Sequence, residues 1–407
     1  MEETKINESG EIIAGLDIGT TKICVVVGEV FADRIEIIGV GTASSSGMRK
    51  GVVVNIESTV EAIKKAVKEA EEMAQCHLEY VYVGIAGNHI KGFNSPGIVA
   101  INNQQIGEKD VEAVIRAART VKLSDNQQII HVIPQEYMVD DHTGIQSPIG
   151  MTGVRLVTNV HIVTAGVNAI HNLTTCCNHA NLVAQEIVLE SIAGAEAVLT
   201  REEMNTGVIL LDIGGGTTDL AVFHNGSVKH TWELPLGGNN LTSDLSVGLR
   251  TPLQDAEELK YSYGGALSSM VKDNHVIEIP TMGERKTRKI SQRVTVEILE
   301  ARIEEILEFA NQNVTSSGMR NRINSGVVIT GGTALLANIA DLAEQIFEMP
   351  VRIGYPTGVT GLLEKINSPR CSTAVGLLLH GSRKRKKVDH SQMTFIERLK
   401  LFFRQVM

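Results

Sequence analysis

Asp17-Ile18-Gly19-Thr20-Thr21 closes one apolar run, and Asp212-Ile213-Gly214-Gly215-Gly216-Thr217-Thr218 closes another. Residues 12–18, 23–30 and 35–40 read as three short strands broken at tight turns. Residues 207–213, 219–223 and 227–232 repeat that order, with the same Asp-Ile-Gly and Thr-Thr signature after the first strand. The run at 207–213 is apolar throughout, as expected of a strand buried on both faces. The repeat is therefore an internal duplication at domain scale, not a short-period solenoid.

The recurrence has a chemical reason. Glycine allows positive φ and close backbone approach, so successive N–H groups can converge on an anion. Threonine adds hydroxyl donors. An aspartate at the end of a buried strand puts a carboxylate where hydrated Mg²⁺ can be held with few direct protein ligands. Two such hairpins face to face would clamp a triphosphate. One copy alone reads equally well as a mere tight turn. The second copy, and a third turn, Gly331-Gly332-Thr333 after the strand at 326–330, favour phosphate loops. No GxxxxGK[ST] is present, so this is not a P-loop.

The rest of the chain alternates elements. Helices are expected at 57–75, 109–120, 168–180 and 190–200, and strands at 80–86, 129–133, 155–164 and 182–189. Residues 239–313 read as mostly helical, with a polar, basic turn near 283–293. A length of 407 residues predicts two or three domains, and 43% hydrophobic with 21% charged residues rules out global disorder. A net charge of −9 excludes a generic nucleic-acid binder. Five scattered cysteines without CxxC indicate neither a disulfide framework nor a zinc site. His131, His142, His161 and His171 lack metal-ligand spacing. No signal peptide or membrane span is read, so a reduced, cytosolic protein is expected.

The end of the chain differs. Arg383, Lys384, Arg385, Lys386 and Lys387 open a charged linker at 382–391. Residues 392–407 then form an amphipathic helix with Phe395, Ile396, Leu399, Phe402, Phe403 and Val406 on its apolar stripe, and Arg398, Lys400 and Arg404 opposite or flanking it. Leu401 falls off the stripe. Such a helix suits the surface of an anionic membrane. Docking on the protein's own core or on a partner groove is the alternative, and the run of five adjacent cations argues against self-docking.

With these motifs the chain resembles the actin–Hsp70–sugar kinase superfamily. The resemblance implies an α/β, two-lobed actin-like ATPase fold with duplicated mixed sheets, each of five strands, and ATP with Mg²⁺ between the lobes. Asp17, Gly19, Thr20 and Thr21 match the first phosphate motif. Asp212, Gly214, Gly215, Gly216, Thr217 and Thr218 match the second, and Gly331, Gly332 and Thr333 the adenosine motif. Asp17 and Asp212 would hold the metal, mostly through water. Glu257 and Lys260 match the pair that reaches the ribose, and Gly238 is placed beside the nucleotide. Glu190 sits where the family has the catalytic residue that orients the attacking water; an ordinary helix N-terminal carboxylate is the other reading. Lys22 either touches the nucleotide or is a solvated strand residue. Residues 188–197 and 372–381 resemble the two interdomain helices.

Only about 16 residues join the third strand to the next helix, which leaves no room for the subdomain that actin and Hsp70 carry there. Extra material sits at 87–165 instead. That relocation and the C-terminal helix resemble the FtsA family of bacterial actin-like division proteins. The resemblance implies subdomain 1A (1–86, 166–200, 355–381), an inserted 1C (87–165), 2A (201–225, 300–354) and 2B (226–299). It further implies a polymerising protein that tethers FtsZ filaments to the inner face of the cytoplasmic membrane at the division septum. Its partners would be FtsZ on 2B, further copies of itself, anionic lipids, and later division proteins through 1C. ATP binding would be the main activity, with slow hydrolysis at most. A small-molecule kinase needs a substrate-positioning acid that is not identified. An Hsp70-like chaperone needs a β-domain beyond residue 381. A pilus-assembly homologue is separable by the membrane tail and FtsZ binding.

Overall fold

The computed structural model describes residues 10–103, 105–272, 275–281 and 284–392. One sheet has six strands in the order Val183–Leu189, Tyr80–Ile85, Glu11–Ile18, Lys22–Val30, Ile35–Ser44 and Thr360–Gly361. The sixth, of two residues, adds to the expected five. A second sheet has five, in the order Ser227–Leu234, Thr218–His224, Val208–Ile213, Val327–Thr330 and Val351–Ile353. Both are mixed. Glu11–Ile18 and Val208–Ile213 each pair antiparallel with the strand that follows and parallel with a later one. The duplication extends to register: Asp17 lies opposite Cys24 and Ile18 opposite Ile23, while Asp212 lies opposite Asp219 and Ile213 opposite Thr218.

Two helices, Glu190–Val198 and Ser372–Gln392, join the lobes. Ala193, Ala197, Ala374, Leu377 and Leu378 on them share one buried cluster with Val25 and Leu16 of the first sheet and Leu210, Ala221 and Val328 of the second. They cross so closely that a side chain at Gly376 would overlap the Ala193 carbonyl oxygen. The far face of the second sheet is covered by the helix Gln292–Ser316, whose Leu299, Ile303, Ile306 and Leu307 are fully buried against it. Trp232 packs half-buried on this second core, and Cys176 and Cys177 are buried in the first.

Residues 91–166 hold a separate sheet, in the order Lys91–Ala100, Arg155–Gly166, Gln127–Val139 and His142–Ile145. Lys91–Ala100 reads poorly as a strand because of Gly92, Pro96 and Gly97. It is an edge strand, where proline removes no required ladder bond. Pro134, on an inner strand, sits at a register shift. This sheet also reaches the second lobe: Gln135 Nε2 donates to the Val228 carbonyl (2.9 Å), Asn94 Nδ2 to the Lys229 carbonyl (3.1 Å), and His161 Nε2 meets Thr231 Oγ1 (2.9 Å).

Two expectations change. The basic turn near 283–293 is instead the second arm of a hairpin, Val276–Thr281 with Glu284–Ser291, and the long helix begins at Gln292. Alternation at Ile277 and Ile279, both buried, explains the strand. The charged linker at 382–391 is not a break, because the helix begun at Ser372 continues to Gln392. Arg and Lys are good helix formers and no Gly or Pro interrupts them there. Residues 393–407, with the expected membrane-facing Phe395, Ile396, Leu399, Phe402 and Phe403, lie outside the described residues. Among the described residues, no helix is long and apolar enough to cross a membrane.

Candidate functional site

A cleft of about 350 Å³ opens between the lobes. The two duplicated hairpins meet in it. Each turn is closed the same way, Gly19 N–H to the Lys22 carbonyl (3.1 Å) and Gly214 N–H to the Thr217 carbonyl (2.9 Å). A side chain at Gly216 would come within 2.5 Å of Thr20 Oγ1, and one at Gly215 would strike Thr21. The hairpins thus face each other with hydroxyls and bare backbone at their tips. Gly331 caps the third strand with φ of +86°, beneath Asp212, where a side chain would collide with that carboxylate. Thr333 Oγ1 donates to the Gly214 carbonyl at 3.0 Å, which locks the third turn to the second.

Farther out, Lys260 Nζ bridges Glu257 Oε2 (2.7 Å), Thr242 Oγ1 (2.8 Å) and the Gly238 carbonyl (3.1 Å). Thr242 Oγ1 also bonds Glu257 Oε2. Arg370, on the first lobe, donates from Nη2 to Tyr261 Oη on the second at 2.9 Å, across the cleft mouth. Leu335, Leu336 and Ala337 give this end an apolar wall.

The floor is acidic. Asp17, Asp212, Asp219 and Glu190 all line it. Burial lifts Asp17 from its ordinary 3.8 to about 7, with Lys22 opposing and Asp212 adding repulsion. Burial likewise lifts Asp212 to about 6, though Thr373 Oγ1 donates to its Oδ2 at 3.1 Å. Asp219 is pushed well above its usual range by burial and then by Asp212; Glu190 by burial and then by Asp17, Asp219 and Asp212. Asp219 Oδ2 accepts from Thr217 Oγ1 at 3.1 Å, while its Oδ1 is buried with no hydrogen-bond partner. Lys22 brings a cation to this floor, its Nζ donating to the Arg370 carbonyl at 2.6 Å. Among the described residues, no three His, Cys, Asp or Glu side chains converge closely enough to hold a metal directly. The carboxylates of Asp17, Asp212 and Asp219 on this floor suit a cation whose shell is completed by water and phosphate oxygens. Converging N–H groups and hydroxyls beside it suit the phosphates.

Of the residues singled out from sequence, Asp17, Gly19, Thr20, Thr21, Lys22, Glu190, Asp212, Gly214, Gly215, Gly216, Thr217, Gly238, Glu257, Lys260, Gly331, Gly332 and Thr333 all line this cleft. Thr218 does not. It is fully buried in the strand, and its Oγ1 donates to the Leu236 carbonyl at 2.9 Å, tying the hairpin to the next turn. Asp219, Asn239, Tyr261, Arg370 and Thr373 line the cleft and were missed. Only Asp219 had a sequence signal: it occupies in the second copy the place of Cys24 in the first. Arg370 and Thr373 lie more than a hundred residues from their cleft partners and come in through the fold.

Comparison with known proteins follows this geometry. A family model described as cell division protein FtsA matches residues 209–376, and one described as an SHS2 domain inserted in FtsA matches 87–164. Cell division protein FtsA of Pseudomonas aeruginosa is 44% identical over 378 residues, covering 93% of this chain and 91% of that protein. The chain belongs to the FtsA family. FtsA of Escherichia coli K12 is 36% identical over 411 residues, covering 97% and 98%. Among solved structures, a PilM–PilN type IV pilus biogenesis complex superposes with a TM-score of 0.65 at 18% identity, covering 91% of this chain and 98% of that one. MreB5 of Spiroplasma citri bound to ADP gives 0.54 at 15%, covering 93% and 98%. These likenesses establish an actin-like fold for this FtsA-family chain.

Proposed function

We propose that this FtsA-family chain binds Mg²⁺-ATP in the interlobe cleft and, as a polymer, tethers FtsZ filaments to the cytoplasmic face of the membrane at the division site. The observation that carries the nucleotide reading is the pair of hairpins in matched register, facing across buried carboxylates. Gly214–Gly216, Thr20 and Thr21 would cradle the phosphates. Glu257 and Lys260 would reach the ribose, and the Leu335–Ala337 wall the base. Bound Mg²⁺ would neutralise phosphate charge and relieve the repulsion among Asp17, Asp212 and Asp219. Glu190, kept protonatable by its surroundings, would orient the attacking water, and turnover is slow. Solved MreB5 structures carrying ADP and AMPPNP support the choice of ligand class by fold.

The membrane part rests on the sequence of 392–407. Six apolar side chains, each contributing at most about 1.5–3 kcal/mol, oppose about 1–2 kcal/mol of backbone ordering per residue. One helix binds weakly and reversibly, and a polymer gains by effective concentration. FtsZ would dock on residues 226–299, later division proteins on 87–165.

Co-sedimentation with ATP, FtsZ and anionic liposomes, with and without residues 392–407, tests the whole. Loss of liposome binding with FtsZ binding kept supports the adaptor. Liposome binding that survives the truncation ends the membrane reading, and a chain that never binds ATP ends the nucleotide one.

A further inference from the structure

Glu190 is the first residue of the helix Glu190–Val198, and Leu189 is its N-cap, with no side-chain cap of its own. Leu189 also ends the strand Val183–Leu189, which lies at the edge of the six-stranded sheet. Edge strands leave a row of N–H groups without a neighbouring strand. The Leu189 N–H is buried, and it donates to His131 Nε2 at 3.0 Å. His131 belongs to the strand Gln127–Val139 of the inserted segment. A side chain from the insert therefore fixes the peptide next to the carboxylate on the cleft floor.

The Glu190 side chain lies against Gly84, where a Cβ would come within 3.0 Å of Glu190 Cγ. Its position follows from where the helix N-terminus is held. His131 is itself confined, 92% of its surface covered. Its ring meets the His380 ring edge-on at 6.4 Å between centroids, and His380 Nδ1 lies 3.1 Å from Glu196 on the same helix as Glu190.

Resting on the reading of the cleft as an ATP-hydrolysing site, we propose that His131 is a positioning residue for Glu190, through which the inserted segment sets the hydrolytic geometry. The bond needs a neutral imidazole protonated at Nδ1, with Nε2 free to accept. Burial supplies the neutral form, pushing His131 down to about 4; His380 and Lys384 on the last helix also disfavour its cation, and Glu186 on the edge strand opposes them. The Leu189 N–H aimed at Nε2 selects the tautomer. A displacement of about 1 Å at a positioned group costs on the order of 100-fold in rate.

Full-length variants His131→Phe, His131→Gln, Glu190→Gln and the double His131→Phe/Glu190→Gln test this with Mg²⁺-ATP as the probe. Turnover, KM, calorimetric ATP affinity and deuterium exchange at 186–195 are the readouts. His131→Phe keeps the ring but not the acceptor, and should lower kcat about 10- to 100-fold with KM and affinity within about twofold and faster exchange at 186–195. His131→Gln, which keeps an acceptor, should restore most of kcat. The double variant should be no slower than Glu190→Gln alone. Unchanged kcat in His131→Phe, equal loss in Phe and Gln, or multiplicative loss in the double variant overturns the proposal. Wild type no faster than Glu190→Gln sinks the hydrolysis reading, and the positioning role with it. Should His131→Phe not fold, ¹⁵N imidazole shifts of the wild type decide: a proton on Nε2 near pH 7 refutes the proposal, and one on Nδ1 upholds it.

Discussion

Asp17→Asn should make the nucleotide-free protein more stable while abolishing its response to Mg²⁺-ATP. The carboxyl rises from 3.8 to about 7 on folding, chiefly through burial. An acid whose folded value is raised holds its proton more tightly in the folded state, so its contribution is fully favourable below pH 3.8 and is lost as pH rises through 7. At about 1.4 kcal/mol per tenfold, the raised value costs the folded chain about 4 kcal/mol at pH 8, where the buried group is ionised, and about 2 kcal/mol at pH 5, where it must take up a proton to fold. Asn keeps the size and removes the titration. Its advantage should be about 5 °C in melting temperature at pH 8 and about 2 °C at pH 5, scaling unfolding entropy to this length. With millimolar Mg²⁺-ATP the order should reverse, because ligand stabilises only the chain that binds it. Scanning calorimetry at both pH values, with and without ligand, is the assay. An Asp17→Asn protein that melts below wild type without nucleotide at pH 8, or whose advantage does not shrink at pH 5, would refute the account of the cleft floor as an electrostatic strain relieved by a cation.

Other substitutions report on other parts of the site. Gly376→Ala drives a methyl group into the Ala193 carbonyl, so the two interlobe helices must part; soluble yield and melting temperature should fall, by about 3 kcal/mol or more for overpacking against backbone. Arg370→Ala removes the strap to Tyr261 at the exposed rim, and calorimetry should show about 3- to 10-fold weaker ATP binding with stability unchanged. Lys260→Met leaves Glu257 without its ammonium and frees the Gly238 carbonyl, so ATP affinity should drop at least about 10-fold. Glu257→Gln should narrow the preference for ATP over 2′-deoxy-ATP, measured by competition.

How much of this was legible follows from what each residue depends on. The duplicated hairpins were readable because their chemistry is local: Gly19 and Gly214 close their turns onto residues three positions on, with no help from the rest of the fold. Glu257 and Lys260 sit one helical turn apart, another local fact. Thr218 was misread because the Thr-Thr signature does not say where the strand resumes. The ladder restarts at Thr218, opposite Ile213, which turns its hydroxyl away from the cleft and toward Leu236. The hairpin at 276–291 was misread because seven Lys, Arg, Glu or Thr residues between 284 and 293 obscure an alternation that Ile277 and Ile279 carry inward, with Ile290 packed beside them. His131 marks the limit. A lone histidine in a β-rich stretch is ordinarily a core or surface residue, and nothing in residues 127–139 names its partner. It gains meaning only when an edge strand, 58 positions later, ends with one N–H that no neighbouring strand can take. Local chemistry was therefore open to reading, whereas the groups that orient it, Asp219 apart, were supplied by topology. The role proposed for Glu190 is then best tested through its supports: a variant at Glu190 alone cannot say which of them sets the geometry, and the comparison of His131→Phe with His131→Gln can.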